Sequence, residues 1–246
     1  MIGSIESTIE RRLLVNYRIH PDRVAGLLPA PFRPQLISGW AVGGICLIRL
    51  SGIRPRGIPR ALGLRTENLA HRFAVEWDDD QGTHAGVFIP RRDTSSRISE
   101  LAGGRLFPGD HQRARFLVSE SGPLVEIRAV SADDSMRVSV LATETAELRS
   151  ALFASTGEAI EFFRLGSHGF SPSRPAGCLA GVRLEADSWA ARPMDIQRLE
   201  SSFFGDQSLF PAGSCVLDSG LIMRNLRGTW IADGRLTPRA AALTGS

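Results

Sequence analysis

The chain has 246 residues, a formal net charge of +3, 43% hydrophobic residues and 22% charged residues, so it is long enough to bury a substantial core. Its arginines alternate with acidic residues and form no basic block, which argues against a nucleic-acid partner. No apolar run approaches the ~20 residues of a membrane helix and no signal-peptide pattern opens the chain, so we expect a soluble cytoplasmic protein with no membrane partner.

Three cysteines lie far apart in apolar segments of the sequence: Cys46, Cys178 and Cys215. No CxxC pair is present, so we expect free buried thiols in a reducing compartment rather than disulfides or cysteine-bound zinc. The five histidines also lack the i, i+2 or i, i+4 spacing of a metal site. We therefore predict neither a metal site nor a cofactor.

Runs of apolar and β-branched residues predict strands in the first half of the chain, at residues 12–19, 40–50, 69–77 and 84–92. Apolar and polar residues alternate over 69–77, and a turn at 78–82 predicts a hairpin with the strand that follows. A short helix is predicted over 21–28, because Pro21 suits a first helical turn and Pro29 stops the helix.

The second half adds helices and further strands. One helix is predicted over 93–101, capped by Asp93 or Thr94, and another follows a capping box made by Ser155 and Glu158. Strands are predicted at residues 112–119, 123–130, 136–142, 178–186, 214–224 and 226–231.

This succession of many short strands and two or three helices is typical of an antiparallel α+β protein. We predict a mostly antiparallel β-barrel, closed or partly closed, with a few short helices packed on it. No linker or shift in composition divides the chain, so we predict a single domain over residues 1–246. A homo-oligomer stays open, since an exposed strand edge would favour self-association.

The chain contains no lysine, and all 29 of its basic side chains are arginine. A desolvated lysine can lose its proton and attack a carbonyl group to form a Schiff base. Arginine stays protonated, so it can bind and polarise a substrate but cannot act as an amine nucleophile. No side chain of this protein can therefore form a Schiff base with a substrate.

The stretch that is densest in polar residues, RRDTSSRISELAGGRLFPGDHQRAR, covers residues 91–115. It predicts a strand end, a helix, a glycine turn and a second strand, and such an excursion could place side chains beside a pocket. Candidate ligand-binding residues here are Arg91, Arg105 and Arg113. Asp110 and His111 are candidates for a catalytic acid or base. The alternative is structural, with a solvated arginine face and a turn aspartate.

Two further candidates for ligand binding, Arg72 and Glu76, lie on the polar face of the predicted strand at 69–77. A planar guanidinium can hold a carboxylate or an enolate through two parallel hydrogen bonds. Glu76 is in addition a candidate base. We expect these side chains to line a pocket if the interior of the barrel is partly polar.

The order of three motifs resembles that of the acetoacetate decarboxylase-like superfamily. The run YRIHPDRVAGLLPAPFRP resembles its opening, and GVFIP, DTSS and GGRLFPGD within residues 86–111 resemble its central segment. The late run SSFFGDQSLFPAGSCVLDSGLIMR resembles the uncharacterised branch of that superfamily, which lacks the Schiff-base lysine. The resemblance covers about three-quarters of the chain, and it implies the decarboxylase-like barrel and a ligand pocket.

The resemblance also assigns roles to positions of this sequence. The Schiff-base lysine of the family follows the turn proline and corresponds to Gly109, and the neighbouring lysine corresponds to Asp110. Glu67 is the nearest match to a glutamate that the family carries before the first hairpin strand. The resemblance therefore implies a pocket near Gly109 and Glu67, while a glycine and an acid in place of two lysines contradict the parent chemistry.

The sequence favours a small-molecule-binding protein whose pocket takes an organic acid or a carbonyl compound without Schiff-base decarboxylation. We expect a closed pocket of several hundred Å³ near Arg72, Arg91, Arg105 and Asp110. The alternative is a lysine-independent acid/base enzyme in which His111, Asp110 or Glu76 is the base and arginine stabilises an enolate. An interaction domain without a ligand is a third reading.

Overall fold

A computed structural model describes residues 4–59, 62–97, 109–173 and 177–236 of the chain, with residues 235 and 236 described by their backbone alone. These residues form mostly β-sheet with few helices, as the sequence predicts. The strands are β1 (Ser4–Ile19), β2 (Arg33–Pro34), β3 (Leu36–Ile37), β4 (Trp40–Pro55), β5 (Leu64–Asp79), β6 (Gly82–Thr94), β7 (His111–Ser121), β8 (Leu124–Ser131), β9 (Arg137–Glu144), β10 (His168–Ser173), β11 (Cys178–Ala186), β12 (Arg192–Ser201) and β13 (Cys215–Leu236). The helices are α1 (Pro21–Ala25) and α2 (Thr156–Leu165).

All thirteen strands belong to one sheet, in the order β11-β10-β6-β7-β8-β9-β12-β13-β1-β4-β5-β2, with β3 paired to β4. Neighbours are antiparallel except for short parallel pairings of β6 with β10 and with β7. Two additional pairings, β5 with β6 and β11 with β13, return the path of strands to itself. The strands β13, β1, β4, β5 and β6 consequently take part in two rings of paired strands.

The long strands bury both of their faces, and each face packs in a different core. The first core contains Leu13 of β1, Leu47 of β4 and Phe73 of β5, and the segment between β12 and β13 closes over it with Phe204 and Phe210. Alternate residues of the same strands enter the second core, which α2 covers with Phe163. Because both faces are buried, the apolar runs in these strands are longer than those of a strand with one wet face.

The strand boundaries differ from the prediction where polar residues occur inside strands. β1 starts at Ser4 rather than residue 12, because Ser7 and Arg11 are buried together with the apolar residues between them. The two strands predicted at 214–224 and 226–231 are one strand, β13, which passes through Asn225 with a φ of 56°. β12 was not predicted, since its sequence RPMDIQRLES has little apolar character.

The helix predictions have different outcomes. The capping box is confirmed, because the Ser155 hydroxyl accepts a hydrogen bond from the Glu158 amide at 3.1 Å and α2 follows directly. The predicted caps Asp93 and Thr94 are instead the last residues of β6. Residues 98–101 of that predicted helix lie outside the described residues. No helix in the described part of the chain is long and apolar enough to cross a membrane.

Acid should destabilise this fold through His71, which is fully buried in β5 against the rings of Phe203 and Phe204. Neither ring nitrogen has a hydrogen-bond partner among the described residues, and burial together with the charge of Arg91 lowers the pKa of His71 from 6.5 to about 3. The unfolded chain therefore binds a proton that the folded chain excludes between these two values. As the pH falls from about 6.5 toward 3, we expect His71 to reduce the free energy of unfolding by up to ~1.4 kcal/mol per pH unit.

Urea denaturation at a series of pH values tests this expectation with two variants. His71→Phe should flatten the acid limb of the stability curve, whereas His20→Gln should not, because the His20 side chain is 60% exposed. An acid limb of the same slope in His71→Phe and in the wild type would contradict the assignment.

Candidate functional site

A cavity of about 100 Å³ lies on the face of β1, β4, β5 and β6 that belongs to the second core. The strand register builds its floor: Cys46 of β4 is opposite Ala70 of β5, and Ala70 is opposite Arg92 of β6. Arg72 follows Ala70 by two residues on the same face of β5, and Arg12 extends from β1 opposite Ile48. The small Ala70 side chain at the centre of this row leaves space between larger neighbours.

The walls of the cavity are mainly apolar. They belong to the strands of the floor, to the turn after α2, to β11 and the segment that follows it, and to β13. The apolar and aromatic side chains that line the cavity include Ile48, Leu50, Ile89, Val182, Leu184, Trp189 and Trp230. A ligand in this cavity would therefore meet cationic groups on the floor and hydrocarbon around its remaining surface.

Arg72 is the most buried of the lining arginines, with 3% of its surface exposed. Its Nη2 donates a hydrogen bond to Asn16 Oδ1 at 2.6 Å, and its guanidinium lies 4.6 Å from the ring centroid of Phe163. Its Nε has no hydrogen-bond partner. Burial lowers the pKa of Arg72 to about 10, an effect that the neighbouring Cys46 opposes, so the side chain is still charged at neutral pH.

Arg92 and Arg12 complete a group of three cavity arginines. Arg92 donates from Nε to Ser171 Oγ at 2.7 Å, and its Nη2 is buried without an acceptor. Burial lowers the pKa of Arg92 to about 10 as well. The guanidinium of Arg12 lies 5.6 Å from the ring centroid of Trp189, and its buried Nε also has no partner.

None of these three guanidiniums has a carboxylate within 4.0 Å among the described residues. Asp93 lines the cavity, but Arg91 already binds it at 2.9 Å, and burial raises the pKa of Asp93 against the influence of Arg91. The floor consequently carries more positive than negative charge. Buried charges in proteins are normally paired, so this arrangement suits an anionic ligand.

His111 is the titratable base at the edge of this cavity. Its Nδ1 lies 3.1 Å from the carbonyl oxygen of Gly109, which assigns the ring proton to Nδ1. Burial and the charge of Arg92 lower the pKa of His111 to about 4, so the imidazole is neutral at neutral pH. A neutral imidazole is chemically able to act as a base.

Gly109 lies beside the cavity residue Arg92 and has no room for a side chain. Its φ is +93°, and a Cβ atom there would lie 2.6 Å from Ser171 Cβ and 3.5 Å from Arg92 Nε. The position that corresponds by resemblance to the Schiff-base lysine therefore borders a cavity arginine, but it is occupied by backbone alone. Asp110 is exposed, and its amide donates to the carbonyl oxygen of Pro172 at 3.2 Å.

The other candidate residues that the structure describes do not belong to the cavity lining. Glu67 belongs to a cluster of ion pairs and binds Arg11 at 2.5 Å, and Glu76 lies 3.4 Å from Arg33. Arg91 binds Asp93 and Ser135, and Arg113 of β7 has a buried Nη1 without a partner. Arg105 lies outside the described residues. The cavity is also smaller than the several hundred Å³ expected.

Six polar lining residues were not among the sequence candidates: Arg12, Cys46, Asn68, Arg92, Asp93 and Ser167. Arg92 is adjacent to the candidate Arg91, and successive residues of a strand face opposite sides. In the described residues no group of three or more His, Cys, Asp or Glu side chains is placed to hold a metal ion.

The DUF2071 family, described as an uncharacterized conserved protein, matches residues 6–216 of the chain. No curated protein matches this chain. Among solved structures, an acetoacetate decarboxylase-like enzyme from Sphingomonas wittichii RW1 has a TM-score of 0.62 and 15% identity, covering 97% of this chain and 94% of that chain.

Two further solved structures have the same fold. The enduracididine biosynthesis enzyme MppR complexed with pyruvate has a TM-score of 0.60 and 13% identity, covering 95% of this chain and 89% of that chain. An acetoacetate decarboxylase from Legionella pneumophila has a TM-score of 0.55 and 13% identity, covering 94% of this chain and 87% of that chain. At these identities the likeness shows the acetoacetate decarboxylase-like fold alone.

Proposed function

Since this chain belongs to the DUF2071 family of uncharacterized conserved proteins, we propose that it is a small-molecule-binding protein that holds an organic acid and carries out no Schiff-base decarboxylation. The single observation that carries this proposal is the group of Arg12, Arg72 and Arg92, which lines one cavity and has no carboxylate partner among the described residues. An unpaired buried charge costs several kcal/mol. A bound carboxylate would supply the missing counter-charge.

The chemistry of the cavity narrows the ligand to an acid with an apolar tail. Guanidinium groups hold carboxylates through directed hydrogen bonds, and Arg72 and Arg92 each have a buried N–H group without an acceptor. The apolar walls favour a hydrocarbon tail, at about 0.8 kcal/mol for each buried CH₂ group. One structural neighbour is a complex with pyruvate, which belongs to the class of organic acids proposed here.

The closure of the sheet into a barrel and the extent of the domain are also part of the proposal. We propose that the two rings of paired strands form an irregular, closed β-barrel arrangement within a single domain over residues 1–246. The cavity would then lie between the wall of the main ring and the elements that cover it, rather than inside the first core.

Isothermal titration calorimetry with a matched pair of ligands tests the function. The acid 4-methyl-2-oxopentanoate should bind at least tenfold more tightly than 4-methyl-2-pentanone, which shares the branched tail and ketone but lacks the carboxylate. Pyruvate should bind more than tenfold more weakly than the longer acid, because it has three fewer carbons to bury at about 0.8 kcal/mol each. Equal affinity for the acid and the neutral ketone would contradict the proposal.

A lysine-independent acid/base enzyme is the second candidate, and the neutral His111 at the same cavity favours it. In this function His111 takes a proton from the carbon next to the carbonyl, and Arg92 stabilises the resulting enolate. Proton NMR of 4-methyl-2-oxopentanoate in D₂O would then show loss of the C3 protons in the presence of the protein. His111→Gln should abolish that exchange, and an unchanged spectrum with wild-type protein would exclude this candidate.

A further inference from the structure

Cys46 is the one residue with a nucleophilic sulfur in the described lining of the arginine cavity. It lies at the middle of β4, is 8% exposed, and is opposite Leu14 of β1 on one side and Ala70 of β5 on the other. Arg92 follows Ala70 in the same row across the sheet. The methyl group of Ala70 is thus the only side chain in that row between the thiol and the Arg92 guanidinium.

Two guanidiniums share the cavity lining with Cys46: Arg92 lies in its cross-strand row, and Arg72 lies two residues from Ala70 along β5. The neighbouring Cys46 acts to raise the pKa of both Arg72 and Arg92, against the larger effect of burial. Arg72 is itself more than nine-tenths buried, and its Nε has no hydrogen-bond partner. The cavity therefore combines a buried guanidinium that has no carboxylate partner among the described residues with a sulfur nucleophile on the same floor.

The other two cysteines serve as internal comparisons. Cys215 is half-buried in β13, and burial raises the pKa of its thiol to about 12. Cys178 is half-buried at the start of β11. Neither belongs to the described lining of the arginine cavity. A reaction that depends on the cavity arginines should therefore single out Cys46.

We propose that Cys46 is a covalent capture site for an electrophilic organic acid, a 2-oxo acid whose carboxylate is held by Arg72 and Arg92. This inference rests on the proposed function and adds a reversible covalent bond between the protein and the bound acid. The thiol sulfur forms a bond to the carbonyl carbon as the C=O π bond breaks. The electron pair moves to the oxygen, which receives the proton lost by the thiol, and the product is a thiohemiketal. The reverse step releases both partners unchanged, so no oxidant or reductant is needed.

Alkylation of the intact wild-type protein tests the site without any substitution. Iodoacetate carries a carboxylate and iodoacetamide does not, and in both cases the sulfur displaces iodide. We expect the ratio of iodoacetate to iodoacetamide rates, followed by peptide mass spectrometry, to be at least tenfold higher at Cys46 than at Cys178 or Cys215. Arg92→Met should reduce that ratio to the value of the other cysteines. A wild-type ratio at Cys46 no higher than at Cys178, or no labelling of Cys46, would overturn the proposal.

Carbon NMR of 2-¹³C-labelled pyruvate follows the bond itself. With wild-type protein we expect a new signal of a tetrahedral carbon besides the ketone signal, and its loss in Cys46→Ser and Cys46→Ala but not in Cys178→Ser. A tetrahedral signal that persists in folded Cys46→Ala would overturn the assignment to this thiol.

The two proposals fail in different ways. If calorimetry shows acid binding that requires the carboxylate while Cys46 gains no preference for iodoacetate, covalent capture is wrong and the binding function stands. If the acid and the neutral ketone bind equally and Cys46 also shows no preference, both proposals are wrong.

Discussion

Replacing Arg11 by methionine should lower the free energy of unfolding by about 3 kcal/mol, because it removes the most buried cation of a cluster of ion pairs. Arg11 is 1% exposed and binds Glu67 at 2.5 Å and Glu120 at 2.7 Å. The remaining pairs of the cluster connect Arg49 to Glu67 and Glu120, Arg224 to Glu120 and Glu144, and the mostly exposed Arg192 to Glu144. Arg192 does not reach Glu67 or Glu120, so the variant leaves these two carboxylates short of counter-charge in a poorly solvated place.

The matched comparison is Arg92→Met, which also removes a buried arginine. Arg92 has no carboxylate partner in the described chain, so its loss removes a desolvated charge without exposing an opposite one. We expect its free energy of unfolding to stay the same or to rise. Arg164→Met, on the surface of α2, should change it by less than about 0.5 kcal/mol. Urea unfolding of the three variants measures this, and equal destabilisation by Arg11→Met and Arg92→Met would contradict the distinction between structural and ligand-binding arginines.

Gly109→Lys should not restore an amine catalyst, although it places lysine where the decarboxylase resemblance puts one. The backbone φ of +93° disfavours any side chain, and the new Cβ would lie 2.6 Å from Ser171 Cβ. Strain of this kind costs about 1–3 kcal/mol and overpacking a further 1–3 kcal/mol. We expect a loss of about 2–6 kcal/mol in unfolding free energy, and no borohydride-trapped adduct with acetoacetate.

Gly122→Lys is the control for the backbone contribution. Gly122 also has a positive φ, +56°, but a Cβ atom there would meet no atom within 4 Å. This variant should lose only about 1 kcal/mol, the ordinary cost of a left-handed residue. A Gly109→Lys protein as stable as Gly122→Lys that traps acetoacetate on residue 109 would show that the turn can hold a reactive amine.

Local patterns predict most of the strands and the helix α2, because apolar periodicity and helix caps depend only on residues that are close in sequence. Alternation over 69–77 and the turn after it predict the hairpin of β5 and β6, and the structure confirms it. Such patterns fail where burial is decided by distant strands. Arg11 is buried because Glu67 and Glu120, more than fifty residues away, neutralise it, and nothing beside Arg11 in the sequence indicates this.

The candidate site was harder to predict, since it depends on register between strands. Arg72 could be selected because it lies with Glu76 on the polar face of the predicted strand at 69–77. The choice between Arg91 and Arg92 could not be made, because it depends on which residue is opposite Ala70. Cys46 and Arg12 also could not be selected, because they reach the cavity only when β1, β4, β5 and β6 lie side by side in the sheet. The sequence shows a glycine at position 109, where the resemblance places a lysine, but it does not show that Ser171 leaves no space for a side chain there.

Calorimetric titration of the wild type and of Arg92→Met with 4-methyl-2-oxopentanoate tests most directly whether the unpaired cavity arginines bind an organic acid. We predict that the wild type binds the acid, and that Arg92→Met binds it at least tenfold more weakly while its free energy of unfolding is no lower than that of the wild type. An affinity that is the same in both proteins, or a wild type that does not bind the acid, would contradict the account.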